Sequence, residues 1–186
     1  MKITETDLPG VLVLEPDVWA DGRGKFLELW NRDRGVAAGI PETFFQDNLS
    51  RSVAGCLRGL HFQYPTQQGK LISVIRGRIF DVAVDIRKDS PMFGRWTAAI
   101  LDDVEHRQFW IPRGFAHGFL VLSELADVFY KADAPYRRDE EYVVAHDDPA
   151  LGIDWPSEAK IMNERDRSAP NLSELSALPH CQPDRT

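Results

Sequence analysis

Leu57-Arg58-Gly59-Leu60-His61-Phe62-Gln63, followed by Gln67-Gln68-Gly69-Lys70, sets a guanidinium, an imidazole and an amine within 13 residues. An imidazole can take a proton, a buried ammonium can stabilise an oxyanion, and a guanidinium can bind phosphate through two parallel hydrogen bonds. A lone histidine in an apolar segment is usually a hydrogen-bonded core residue, with arginine and lysine on the solvent face. The clustering argues against that here. Parity is an obstacle, because in a regular strand Arg58 and His61 point to opposite faces. For both to reach one pocket, Gly59 has to carry a bulge or bend.

Two further groups of residues carry chemistry. Ile111-Pro112-Arg113-Gly114-Phe115-Ala116-His117-Gly118-Phe119 contains a Pro-x-Gly-x-x-His run that resembles the second metal motif of cupins. The partner motif, His-x-His followed by Glu, is missing, since His61 is followed by Phe62-Gln63. Two candidate histidines fall short of the three or four ligands of a transition-metal site, so no metal is expected. His117 shares strand parity with Phe115, Phe119 and Val121, which reads as a buried, hydrogen-bonded core histidine. In Val128-Phe129-Tyr130-Lys131, with Tyr136 soon after, a phenol on a barrel strand either packs with a tethered hydroxyl or serves as a general acid.

The elements that must position these groups are strands. Phe80, Val82, Val84 and Ile86 alternate with polar or small residues, and Leu71 to Ile75 form a second β-rich run, with Gly77 at the turn of the implied hairpin. Further strands are expected at 11–15, 25–30, 43–49, 95–101, 107–111, 115–122 and 127–131, with Pro and Gly in almost every gap. Helical signals are confined to a turn near Ala37-Ala38, to 157–165, and to a short helix that Asn171 caps. About nine short strands without a βαβ rhythm predict an all-β antiparallel sandwich or barrel of jelly-roll type, its mouth forming the pocket. A single domain is expected over 1–186, with barrel and N-terminal arm at 1–146 and a wrapping, partly helical tail at 147–186.

Composition narrows the partners. The 186 residues carry 22 basic and 29 acidic side chains, a formal charge of −7, which argues against nucleic-acid or anionic-membrane surfaces. No apolar run is long enough for a signal peptide or membrane helix, so a soluble, cytoplasmic protein is expected. Cys56 and Cys181 form no CxxC pair, which excludes disulfide scaffolds and zinc ribbons.

An ordered set of motifs, nearly end to end, resembles the dTDP-4-dehydrorhamnose 3,5-epimerase family of metal-free cupins. The set comprises Asp21-Gly22-Arg23-Gly24-Lys25-Phe26, Phe45-Gln46-Asp47-Asn48-Leu49-Ser50, LRGLHFQ, Gln68-Gly69-Lys70, Gly77-Arg78-Ile79-Phe80-Asp81-Val82, Ser90-Pro91, IPRGFAHGF and Leu151-Gly152-Ile153-Asp154-Trp155-Pro156. The resemblance implies a homodimeric cupin-like jelly roll that needs no cofactor and acts on a dTDP-linked 4-keto-6-deoxyhexose. It implies His61 as base, Asp166 as the carboxylate that orients it, Lys70 as the cation at the carbonyl oxygen, and Tyr130 as the acid on the opposite face. It also implies substrate contacts from Arg23, Phe26, Glu28, Gln46, Asn48, Arg58, Lys70, Tyr136, Glu141 and Arg165, part of them across the dimer, with Trp19 or Tyr136 stacking on the base.

The chain departs from the family pattern at Glu141 to Pro149, where a Gly and a Trp are lost and His146 is gained. It departs again at Asn163-Glu164-Arg165-Asp166, where Arg165 replaces a lysine and keeps the charge. Alternatives within the same reading are an epimerase of one centre, C3 or C5, and more distantly a 3,4-ketoisomerase. A catalytically silent sugar-nucleotide binder would need the arginines but neither an acid nor a base.

Overall fold

In the computed structural model, which describes residues 1–181, two antiparallel sheets face each other across one interior. The strands are β1 (Lys2–Glu5), β2 (Leu12–Glu15), β3 (Val18–Asp21), β4 (Gly24–Leu27), β5 (Gln46–Val53), β6 (Leu57–Gln63), β7 (Lys70–Arg76), β8 (Arg78–Asp85), β9 (Trp96–Asp102), β10 (Gln108–Ile111), β11 (Phe115–Val121), β12 (Leu125–Ala132) and β13 (Glu141–Val143). One sheet runs β1-β2-β10-β7-β12-β5 and the other β13-β6-β11-β8-β9, while β3 and β4 pair only with each other. The expected β7–β8 hairpin is present, with Gly77 at φ +85°, where a Cβ would lie 2.0 Å from the Leu125 carbonyl oxygen.

Strand parity sorts the side chains. Ile72, Val74, Phe109, Ile111 and Val128 from the six-stranded sheet meet Ile79, Ala83, Leu101, Phe115 and Phe119 from the five-stranded sheet in the shared interior. The opposite faces are covered as well. On the five-stranded sheet, Leu60, Phe62, Val82 and Val84 pack under Val144, Leu151, Leu172 and Leu178 of the chain's last third. Leu151, Leu172 and Leu178 of the tail thus pack on the outside of this sheet, and its last residues, 182–186, lie outside the described part. On the six-stranded sheet, Leu12, Leu14, Leu71 and Trp110 pack with Ile40, Trp30 and Phe44. The result is the expected all-β, cupin-like jelly roll.

Several boundaries differ from expectation. The strand expected at 25–30 stops at Leu27, and the one expected at 43–49 starts at Gln46 and runs to Val53. The helix expected over 157–165 shrinks to α2 (Glu164–Arg167), because Lys160 and Ile161 are spent on backbone hydrogen bonds to Gly55 and Leu57 beside β6. Near Asn171 a 3-10 turn forms at Leu172–Glu174, and the Glu174 carboxylate accepts the Asn171 N–H at 2.7 Å. The turn near Ala37 is the end of α1 (Arg32–Ala37), which Asn31 caps. Among the described residues no helix is long and apolar enough to cross a membrane.

Candidate active site

The site begins with the irregularity in β6. His117 pairs with His61 but Phe119 pairs with Arg58, so three steps on β6 oppose two on β11. This extra residue is the bulge that parity demanded. It returns Arg58 and His61 to one face while Leu60 and Phe62 remain in the outer cluster. Gly59 makes it possible: its φ is +117°, and a Cβ there would sit 2.6 Å from both Gly118 Cα and the His117 carbonyl oxygen. Its own peptide bond to Leu60 is cis.

The tail supplies the carboxylate that organises this bulge. Asn163 caps α2, its side chain accepting the Asp166 N–H at 2.7 Å, and the cap sets Asp166 against β6. One Asp166 oxygen accepts the Gly59 N–H at 3.1 Å and the other lies 2.7 Å from His61 Nε2. Burial works against ionising Asp166, but the bond to His61, its positive charge when protonated and the Gly59 N–H together hold the carboxyl below its usual range. An ionised Asp166 makes Nε2 the protonated ring nitrogen and leaves Nδ1 as the basic one.

The other wall brings the remaining groups. Lys70 on β7 and Tyr130 on β12 share strand parity with Ile72 and Val128, so both point into the interior from the sheet facing His61. Burial lowers the Lys70 amine to about 8, against the opposing pull of Glu141 and Asp81. Burial raises the Tyr130 phenol, helped by Glu141. An ammonium that is easily discharged and a phenol that keeps its proton therefore share one wall. Gln46 and Asn48 on β5 pair with Ala132 and Tyr130 on β12, and their side chains bond to each other at 2.7 Å. Arg58 is held by Ser52, whose hydroxyl accepts from Nε at 2.9 Å. At the rim, Glu141 accepts the Tyr136 hydroxyl at 2.9 Å and is paired with Arg165.

Three residues that the sequence placed in the site do not come to it within this chain. Arg23 is 92% exposed and paired with Asp21, Phe26 is 71% exposed against Trp19, and Glu28 bonds to Arg34 and Asn31. Lys25, between them, donates to the Asp103 carbonyl at 2.7 Å, and Asp103 is bonded to Gly77, just beyond the far end of β7 from Lys70. Six residue steps along β7 separate those ends, about 20 Å at the rise of a strand.

His117 is the buried, hydrogen-bonded histidine that the sequence suggested, with Nε2 2.9 Å from an Asp81 oxygen. Sequence reasoning did not connect Asp81 to the site. Its signal was present as an aspartate at an inward position of β8, between Ile79 and Ala83. Among the described residues no three His, Cys, Asp or Glu side chains converge as a metal-binding group.

A cupin-like sandwich that encloses an imidazole oriented by a carboxylate, with an ammonium and a phenol on the facing wall, has the layout of a proton-transfer isomerase. Comparison with known proteins is specific. A sequence model of the dTDP-4-dehydrorhamnose 3,5-epimerases matches residues 5–174. The chain is 47% identical over 176 residues to a protein of that name from Methanothermobacter thermautotrophicus, covering 93% of this chain and 95% of that one. It is 45% identical over 181 residues to another from Pseudomonas aeruginosa, covering 96% and 100%. A crystal structure of the dTDP-6-deoxy-D-glucose-3,5-epimerase of Legionella pneumophila, in complex with dTDP-4-keto-L-rhamnose, superposes with a TM-score of 0.94 at 45% identity, over 98% of this chain and 99% of that one. This chain belongs to the dTDP-4-dehydrorhamnose 3,5-epimerase family.

Proposed function

We propose that the protein inverts C3 and C5 of dTDP-4-dehydro-6-deoxy-D-glucose to give dTDP-4-dehydro-L-rhamnose. The observation that carries this reading is His61 of one sheet, bonded to Asp166 of α2, facing Tyr130 and Lys70 on the other sheet. The 4-keto group acidifies the protons on C3 and C5. His61 removes one of them, and Asp166 stabilises the imidazolium that forms. Lys70 stabilises the enolate oxygen, a contribution whose loss typically costs about 10²–10³ in rate. Tyr130 then protonates the carbon from the opposite face, which inverts it. Solvent then takes the proton from the His61 imidazolium and returns one to the Tyr130 phenolate, repetition at the second carbon completes the reaction, and no electron is gained or lost. Arg58, Gln46, Asn48, Tyr136, Glu141 and Arg165 hold the nucleotide and sugar.

The reading includes a homodimer in which β3 and β4 complete the partner's site. Their exposed Arg23 and Phe26 lie at the far end of their own barrel, yet they are the side chains suited to a diphosphate and an aromatic base. It also includes a cytoplasmic location, with which two free thiols, Cys56 and Cys181, agree.

The test is incubation of the protein with dTDP-4-keto-6-deoxy-D-glucose in deuterated water, followed by NMR of the sugar. Deuterium at both C3 and C5 is expected. Label at one carbon alone would replace this reading with a single-centre epimerase, and none with a binding protein. His61→Asn is expected to abolish the exchange, and exchange at wild-type rate would remove His61 from the role of base.

A further inference from the structure

Arg58 is held differently from the arginines near it. Arg51 is paired with Asp127, Arg113 with Asp133 and Arg165 with Glu141, so each of those charges is balanced within the chain. Among the described residues no carboxylate pairs with Arg58, and the one bond its guanidinium makes runs from Nε to the Ser52 hydroxyl, at 2.9 Å. Its charge is uncommitted but its direction is set.

The strands explain why Ser52 can do this. It is the last inward residue of β5, opposite Ala126 on β12 and 5% exposed, while Arg58 is the second residue of β6 in the other sheet. The turn between them is fastened to the ends of β11 and β12, with the Ala54 N–H on the Glu124 carbonyl and the Gly55 N–H on the Val121 carbonyl, each at 3.0 Å. The hydroxyl therefore meets Nε across a fixed gap between the sheets.

A hydroxyl accepts the Nε–H and leaves the positive charge intact. A carboxylate in its place would neutralise that charge, as Asp127 does for Arg51 by accepting from Nε and Nη2 together. With Nε taken, the edge of Arg58 still open to two parallel bonds is Nη1–Nη2. A long side chain fixed in advance also loses less rotamer freedom when an anion binds.

We propose that Ser52 is a positioning residue: its hydroxyl orients the Arg58 guanidinium without neutralising it and presents the Nη1–Nη2 edge to the diphosphate of the sugar nucleotide. The role rests on the reading of Arg58 as a substrate contact. It belongs to binding and not to proton transfer, since the hydroxyl is bonded to Arg58 alone among the described residues.

The experiment measures dTDP affinity by calorimetry, and KM and kcat by the exchange assay, in Ser52→Ala, Arg58→Ala and the double variant. Ser52→Ala is expected to weaken dTDP binding and raise KM by about three- to tenfold, the usual effect of one lost hydrogen bond, with little change in kcat. Arg58→Ala is expected to weaken binding further, and adding Ser52→Ala to it should change nothing more, because the hydroxyl acts through the guanidinium. Ser52→Asp, which keeps an acceptor and adds the neutralising charge, is expected to bind dTDP more weakly than Ser52→Ala. Unchanged affinity in Ser52→Ala beside a loss in Arg58→Ala overturns the proposal, and so does an equal loss from Ser52→Ala with and without Arg58. That equal loss is what a merely structural serine would give. Ser52→Asp binding as tightly as wild type also overturns it, and should that variant not fold, the Ser52–Arg58 cycle still decides. Arg58→Ala binding dTDP as tightly as wild type would refute the reading of Arg58 as a substrate contact, and the proposal with it.

Discussion

Asp166 and Lys70 show how single side chains acquire their chemistry from what surrounds them. Asp166 is almost completely buried, and its two oxygens are taken by His61 and the Gly59 N–H. Asp166→Asn would preserve the shape but favour the wrong tautomer of His61, and kcat is expected to drop by about 10²–10⁴, read by the same deuterium exchange. Lys70 makes a pH prediction with two opposite signs. Its amine falls from 10.5 to about 8 on folding, so between those values the unfolded chain holds more protons than the folded one. Stability contributed by this group therefore rises with pH across that window, and the penalty of burying the charge is present in full below it. Activity should move the other way, because the ammonium is discharged above about 8. A pH–rate profile and a denaturant series over the same range should show kcat falling while this group's share of stability grows. A kcat that stays level beyond pH 9 would remove Lys70 from its electrostatic role.

At the scale of elements, the β6 bulge and the α2 cap bring distant residues together. The bulge exists because Gly59 and Gly118 face each other so closely that a Cβ on either would meet backbone, at 2.6 Å for Gly59 and 2.8 Å for Gly118. Gly59→Ala is expected to destabilise the fold by about 2 to 3 kcal/mol, from the strained φ and the forced separation of β6 and β11. It should also reduce activity by more than the folded fraction, since Arg58, His61 and the N–H bound to Asp166 all move with that residue. Thermal unfolding together with kcat at a temperature where the variant is folded would separate the two effects. Asn163→Ala should cost about 1 kcal/mol as a lost cap. The need for a bulge was legible in the sequence, because Arg58 and His61 have opposite parity and only a glycine lies close enough to reset it. The cap was not legible, since the apolar and polar pattern over 157–165 suits a longer helix. What overrides it is the pairing of Lys160 and Ile161 with Gly55 and Leu57, a contact across more than a hundred residues that no local pattern announces.

At the scale of the molecule, the β3–β4 hairpin is exposed along nearly its whole length and carries Arg23 and Phe26 away from the interior of its own barrel. If each site is completed by the partner's hairpin, two inactive variants should complement each other. Arg23→Ala and His61→Asn, mixed after unfolding and refolding together, should recover about one quarter of wild-type activity, because half of the dimers are mixed and each has one intact site. Recovery of nothing above the separate variants, with dimers present by sedimentation, would place Arg23 in its own protomer's site or outside any site. The overall charge of −7 is compatible with this arrangement, since a diphosphate needs a few local cations and not a basic surface.

The sequence by itself determined the class of fold, through two-residue periodicity broken by Pro and Gly, and singled out the candidate reactive groups, through residue types that a β core has no other use for. Tertiary structure alone decided which carboxylate meets His61, that Asp81 meets His117, and that Arg23, Phe26 and Glu28 are kept away from the site of their own chain. The two contacts join residues 105 and 36 apart in sequence, and all of these placements depend on how two sheets and a tail close on one another. Side-chain chemistry is written residue by residue, whereas the protonation states that make it useful are set by burial and by neighbours that only packing supplies.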